Sequence, residues 1–447
     1  MKHHVLMTVF LLAGVFSQRQ AAAEQIVGCW SGHLEMHESS VAIAGHIDTA
    51  ARNDGELAGL FDVPALALYG IEFTIDAKQG TRVVMNAQLG RRPLSIQMER
   101  RNDALTGRWN QGGMKGTIAL TRCDTPQPPR IIREDVSFRN GSVNLAGTFV
   151  RPAQGDNLPV IVWTHGSGRV TRSGGTYTRW VTLLARHGIA SLIYDKRGQG
   201  QSSGDESVAT LHDFAGDLLA GVAAVKSRAD VDVSRIGVSG LSQGGWIAPL
   251  AASQSDDIAF VVVESASGVS ADAQDLYVFG NQLRRAGLPE DVIGTASELR
   301  TRLFGFYRTG QGKEDLERDL ALVVNEPWFS HAQLPAPPLK PLEKDARERF
   351  NRFRLDVVKT WASVKVPVLA VWGSDDELVP PKQSYEIIDS ALKRAGNKRA
   401  TLHIFDSATH TLTAGKGNRD PWRPLRITPE WPDMLCDWLR KNVIDRS

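Results

Sequence analysis

Arg235-Ile-Gly-Val-Ser-Gly-Leu-Ser-Gln-Gly-Gly245 is the stretch on which the reading of this sequence turns. A short apolar run, Arg235–Val238, leads into a glycine-flanked serine, Ser242, and a helical stretch, Gln243–Ser253, follows at once. A strand that turns sharply into a helix needs small residues on both sides of the turning residue. Such a turn leaves the serine hydroxyl outside, at the end of the strand. The helix that opens there directs its N-terminal amides, and hence partial positive charge, toward the same place.

Working outward, apolar runs alternate with helical stretches. The runs are Val160–Thr164, Ala190–Tyr194, Arg235–Val238, Ala259–Glu264, Val366–Trp372 and Ala400–Phe405. Thr178–His187, Thr210–Arg228, Gln243–Ser253, Lys382–Ala395 and Pro429–Asn442 read as helices. This alternation predicts an α/β fold, a mostly parallel, doubly wound sheet covered on both faces. A hairpin, Arg133–Phe138 and Val143–Val150 turning at Asn140-Gly141, precedes it. The interval from about 268 to 362 has no buried-strand pattern and carries charged helical sequence and the proline-rich Leu334–Pro341. An insertion there reads as a helical lid over the ligand crevice.

Residues 25–123 have another texture. Short strands, Gly32–Met36, Val41–Ile47, Ile71–Ile75, Thr81–Leu89, Leu94–Arg100, Ala104–Trp109 and Gly116–Thr121, alternate with Gly, Asn and Asp turns. They predict a small all-β, barrel-like domain with Trp30 and Trp109 in its core. Asp124-Thr-Pro-Gln-Pro-Pro129 breaks regular structure, so 124–130 reads as the linker and 131–447 as the α/β domain.

A serine hydroxyl is a poor nucleophile at neutral pH. It needs a histidine base, and the histidine needs an orienting carboxylate. For a serine on a strand-to-helix turn the chain order is serine, acid, histidine. The acid should follow Val366–Trp372, where Gly373-Ser-Asp-Asp-Glu377 offers Asp375, Asp376 and Glu377. The base should follow the last run, which ends at Phe405-Asp-Ser-Ala-Thr-His410. His410 is the histidine at a strand end; His331 falls in the proline-rich insertion and His403 inside the strand. The developing oxyanion needs preorganised donors. The Gln243 backbone N–H, just after the serine, is one. The other comes from the loop His165-Gly-Ser-Gly168, where Ser167 N–H is assigned and His165 is read as a loop support. Glu264, at a strand end, is the alternative acid.

These residues resemble the α/β-hydrolase family, and within it bacterial secreted serine esterases. The likeness runs through His165-Gly-Ser-Gly168, Tyr194-Asp-Lys-Arg-Gly-Gln-Gly-Gln-Ser202 and Gly240-Leu-Ser-Gln-Gly-Gly245. The family's Gly-x-x-Asp-x-x-Val-Pro pattern falls on Gly373, Asp376, Val379 and Pro380, which selects Asp376 as the acid. Gly28-Cys-Trp-Ser-Gly32 and Gly107-Arg-Trp-Asn-Gln-Gly-Gly113 resemble the β-rich domain that precedes the hydrolase domain in some of these esterases. The resemblance implies ester hydrolysis through an acyl-enzyme on Ser242, His410 and Asp376, acting on a small-molecule ester without metal or organic cofactor. A peptidase, amidase, thioesterase or acyltransferase would use the same triad. A non-catalytic binding protein on this fold is the rival of another class. Asp195 and Arg197 are expected to hold the loop after the second core strand.

Composition bounds the remainder. The chain has 447 residues, 52 Lys+Arg against 50 Asp+Glu, 42% hydrophobic and 23% charged residues. Near-neutrality, without a run of like charges, gives no electrostatic footprint for nucleic acid. Lys2, the apolar run Val5–Phe16 and Ala21-Ala22-Ala23 read as a signal peptide over 1–23, so a periplasmic or extracellular location is expected. Its removal takes away Lys2 and Arg19 and no acid, leaving the charges balanced. Cys29 and Cys123 bracket the β domain at its first and last strands, which become neighbours if the sheet closes. A Cys29–Cys123 disulfide is therefore expected in an oxidising compartment, with Cys436 outside it.

Overall fold

The computed structural model describes residues 25–445 apart from 49–56, 80, 90–91, 175–176, 415–421 and 423–425; the signal-peptide reading of 1–23 lies outside the described residues. The chain forms two compact units. One contains the residues up to Ile131 together with Thr178–Arg186 and the described part of Lys416–Asp433. The other contains Ile132–Tyr177, 187–414 and the C-terminal residues from Met434.

In the first unit, eight antiparallel strands close into a barrel in chain order. They are β1 (Gly28–Met36), β2 (Ser39–Asp48), β3 (Leu57–Val63), β4 (Leu68–Gln79), β5 (Arg82–Leu89), β6 (Arg92–Arg101), β7 (Ala104–Gln111) and β8 (Met114–Arg122). Alternate residues point inward, so Trp30, Phe61, Met85, Ile96 and Leu105 fill the interior while Asn86, Gln97 and Thr106 face solvent. Strand β3 escaped the sequence reading. Its buried positions are Leu57, Gly59, Phe61 and Val63, and a glycine in the apolar register breaks the alternation that marks a strand. β1 pairs with β8 to close the barrel, and Cys29 and Cys123 are disulfide-bonded across that seam with Cα atoms 5.1 Å apart. Helix α1 (Thr178–Arg186), read from sequence as one of the helices over the parallel sheet, groups with this unit. Arg186 ion-pairs with Asp62, a partner 124 positions away that no local pattern reports.

The second unit is an eight-stranded sheet in the order β16-β15-β14-β13-β11-β12-β10-β9. Its strands are β9 (Ile131–Asn140), β10 (Val143–Pro152), β11 (Leu158–Thr164), β12 (Ala190–Tyr194), β13 (Val231–Leu241), β14 (Phe260–Glu264), β15 (Val368–Gly373) and β16 (Ala400–Phe405). β11 to β16 run parallel, and β10 is antiparallel to β12. Every residue of β11, β14 and β15 is buried, as expected for strands covered on both faces. Helices α2 (Leu211–Lys226), α3 (Gly244–Ala252), α10 (Pro381–Arg394) and α11 (Glu430–Leu439) follow strands in the expected places.

Between β14 and β15 stand α4 (Ala271–Arg285), α5 (Glu290–Thr309), α6 (Lys313–Val323), α7 (Phe329–Ala332), α8 (Lys344–Asn351) and α9 (Val357–Ala362). This insertion has a hydrophobic cluster of its own that includes Phe279, Leu283, Leu303, Phe306 and Leu320. Among the described residues no helix is long and apolar enough to cross a membrane.

From β11 the chain moves to β12 on one side, then returns to β13 on the other. The strand order therefore reverses between β11 and β13, and the crevice at such a reversal is where doubly wound sheets bind ligands. The register sets Trp163 beside Ser239 and Thr164 beside Gly240, so the segments leaving the two strands emerge side by side.

Candidate active site

Ser242 follows β13 and has φ 57°, in the left-handed region that disfavours a side chain. Such a conformation costs about 1–3 kcal/mol and persists only when its surroundings enforce it. They do so here by close packing. A Cβ on Gly240 would lie 2.5 Å from the Gly244 carbonyl oxygen, and one on Gly245 would lie 2.4 Å from Ala266 Cα. Ser242 N–H donates to Glu264 O at 3.0 Å, and Gly245 N–H to Ser242 O at 2.8 Å. Gly240 and Gly245 thus let α3 approach the end of β13 and the segment that follows β14.

His410 follows β16, and its Nδ1 lies 2.7 Å from Asp376 Oδ2. The Asp376 side chain is fully buried, whereas that of His410 is 14% exposed. The other Asp376 oxygen, Oδ1, accepts the Leu378 and Val379 amides at 2.8 and 2.9 Å. Both carboxylate oxygens are therefore committed, and the one facing His410 has its direction set by the turn that holds the other. Of the three acids after β15, Asp376 meets the histidine; Asp375 is exposed, and Glu377 pairs with Arg285. Glu264 contributes its backbone carbonyl to Ser242. His403 lies in β16, edge-on to Phe405.

Ser265, which the sequence reading passed over, links the two halves of the site. Its hydroxyl donates to His410 O at 2.8 Å, and its neighbour Glu264 receives the Ser242 amide. Ser265 also sits at positive φ, 48°. Ser242 and His410 are thus anchored to consecutive residues at the end of β14. No spacing rule announces this role.

The loop after β11 lies against Ser242: a Cβ on Gly166 would stand 3.9 Å from Ser242 Cβ. Ser167 N–H and Gln243 N–H donate to no other protein group among the described residues. For Gln243 this is the orphan amide at the start of a helix. His165 is buried, edge-on to Tyr194 with ring centroids 4.4 Å apart, and its Nε2 lies 2.7 Å from Tyr194 O. Burial lowers its pKa to about 4, so the ring is neutral and donates from Nε2 to that carbonyl. It supports the loop. Arg197 forks onto Asp217 at 2.7 and 2.8 Å, and Asp195 accepts the Arg172 and Gln201 amides. Between them Lys196, unremarked in sequence, is buried beside the loop and reaches Gly166 O at 3.1 Å.

The insertion touches the acid loop. Tyr277 of α4 donates to Asp376 O at 2.7 Å, and Asn281 to Glu377 O at 3.0 Å. Burial and the nearby carboxylates raise the Tyr277 pKa and keep its hydroxyl protonated. An open cleft of about 600 Å³ is lined by Thr210 and by residues of 341–352; Ser242, Asp376 and His410 do not line it.

The family model for X-Pro dipeptidyl-peptidases of the S15 family matches residues 140–411. No curated protein matches. Among solved structures, the Pyrococcus furiosus esterase Pf2001 is similar at 21% identity over 70% of this chain and 92% of its own, with a TM-score of 0.45. Est1E from Butyrivibrio proteoclasticus, solved with ferulic acid, is 21% identical over 69% of this chain and 100% of its own, with a TM-score of 0.43. The α/β hydrolase GrgF from a Penicillium species is 16% identical over 70% and 99%, with a TM-score of 0.44. The matched segment takes in more than half of the chain and holds the Ser242 turn, Asp376 and His410, so this α/β-hydrolase belongs to the X-Pro dipeptidyl-peptidase (S15) family.

Proposed function

We propose that this hydrolase cleaves carboxylic esters through an acyl-enzyme on Ser242. The observation that carries the reading is the His410 Nδ1–Asp376 Oδ2 hydrogen bond, made by a buried carboxylate whose second oxygen is already occupied. A proton on His410 Nδ1 leaves Nε2 as the base that takes the Ser242 proton as the serine attacks the ester carbonyl. The Ser167 and Gln243 amides receive the oxyanion. His410 then protonates the leaving alcohol, and water attacks the acyl-enzyme to release the acid. Asp376 holds the tautomer and stabilises the imidazolium.

The family match favours a second reading, cleavage of a peptide or amide by the same residues. A panel of p-nitrophenyl esters of graded acyl length, each with its anilide counterpart, separates the two. Ester turnover that exceeds anilide turnover by several orders of magnitude is expected; anilides of X-Pro dipeptides cleaved as fast as esters would overturn the ester reading. A fluorophosphonate probe should label Ser242, and a protein that only binds would not react.

The helical insertion is read as the lid, because α4 is hydrogen-bonded to the acid loop. Residues 25–123 and 131–447 are read as β-barrel and hydrolase domains joined at 124–130. The disulfide and the targeting pattern of 1–23 support export to an oxidising compartment. Sequencing the N-terminus of the protein recovered from its host tests this: a mature chain that begins after Ala23 is expected, and an intact Met1 in a cytosolic fraction counts against it.

A further inference from the structure

Lys196 has no place in the triad chemistry, yet it is among the most deeply buried cations of the molecule, with 1% of its side chain exposed. Its Nζ reaches Gly166 O at 3.1 Å, Gly168 O at 3.4 Å and Gln243 Oε1 at 3.2 Å. It pairs with Glu206 at 2.8 Å and lies over the Phe214 ring, 4.9 Å from its centroid. Glu206 is itself fixed by Gln199 at 2.7 Å. An ammonium has three hydrogens, so four oxygens share them and Gly168, the most distant, is held most weakly.

Three of these four acceptors belong to the two segments that carry the proposed oxyanion donors. The Gly166 carbonyl and the Ser167 N–H are the two ends of one peptide group. A cation on that carbonyl draws electron density through the amide resonance toward oxygen and leaves the N–H a stronger donor. Gln243 is gripped by its side chain, and its backbone N–H is left free to donate. The two donors come from segments after different strands, β11 and β13, and Lys196 bonds to both segments. Strands hold segment ends in register, but the direction of an amide beyond the strand end is set by what holds that residue. A buried charge with a single carboxylate partner is costly to maintain and is best explained by work that an apolar side chain could not do.

We propose that Lys196 is a positioning residue for the oxyanion hole, bonding simultaneously to the Ser167 peptide and to the Gln243 side chain so that both amides converge on one point. The proposal rests on the acyl-enzyme reading above. Removing an oxyanion donor outright costs about 10²- to 10³-fold in kcat, and misaiming both should approach the lower end.

The test is Lys196→Met in the full-length protein, assayed on the p-nitrophenyl ester turned over fastest. A fall in kcat of about 10- to 100-fold with KM within about threefold is expected. Inhibition by phenylboronic acid, whose tetrahedral adduct with the serine places an oxygen in the hole, should weaken by a similar factor. Lost packing alone lowers the melting temperature without moving the boronate constant in step with kcat. Unchanged kcat, or a kcat loss with unchanged boronate affinity, overturns the proposal. Gln243→Met removes only the side-chain tie and keeps the backbone amide; it should cost about 3- to 10-fold in both quantities. If Lys196→Met does not fold, this variant decides alone, and wild-type boronate affinity in it overturns the proposal. Ser242→Ala separates the two levels: activity surviving there sinks the acyl-enzyme reading, whereas loss there with full activity in Lys196→Met sinks only the role of Lys196.

Discussion

The barrel and the parallel sheet bury their residues to different ends. Strands β1–β8 hold apolar side chains inside and, among the described residues, supply none of the buried polar or charged ones. The second unit buries His165, Asp195, Lys196, Arg197, Gln243, Glu264 and Asp376 at or just past the ends of its strands, and Asp217 of α2, which receives Arg197. Burying a charge costs far more than burying a methyl group unless partners are built for it. Concentrated buried charge at one end of a sheet therefore marks where a structure has given up stability for chemistry. The barrel interior has the signature of a stability core.

The sharpest way to break this contrast is Ser242→Ala, which should lower kcat about a million-fold with little effect on the melting temperature, both measured on the purified protein. Asp376→Asn comes next. It should keep the fold while costing about 10⁴-fold in kcat, because the amide stabilises the wrong His410 tautomer. A loss below about tenfold would mean that another carboxylate orients the histidine. Phe61→Ala tests the other region. It leaves a cavity in the barrel and should cost about 3–5 kcal/mol in urea unfolding of that unit. The kcat of the folded fraction should be unchanged, and a fall in it would erase the division of labour drawn here.

The smallest effect concerns His165. Its pKa is about 4 in the fold and near 6.5 when unfolded, so between those values the unfolded chain binds more protons. The stability this group contributes is complete above about pH 6.5 and is lost as pH falls toward 4. The melting temperature should decline over that window, and His165→Gln, which retains a donor toward Tyr194 O, should flatten the decline. An equal slope in the variant would assign it to other groups.

Much of this is legible in the sequence. The change from alternating strands to strand–helix alternation marked the two regions, because burial on one face and on two faces leave different periods. The serine turn was legible because the close packing around it at Gly240 and Gly245 leaves no room for a Cβ. The residues alone left Asp375, Asp376 and Glu377 equal; a family pattern chose Asp376, whose carboxylate lies 2.7 Å from His410 Nδ1. Strand β3 stayed hidden because Gly59 occupies an inward position.

By itself, the sequence determined the parallel sheet and the tight turn at Ser242, since each depends on near neighbours in the chain. Only the tertiary structure decided that Ser265 links Ser242 to His410, that Tyr277 and Asn281 bind the acid loop, that α1 groups with the barrel unit, and that Lys196 joins the two amide-bearing segments. These roles belong to pairs of residues tens to more than a hundred positions apart. A hydroxyl or an ammonium carries no local signal of which distant carbonyl it will meet, and packing alone makes that assignment.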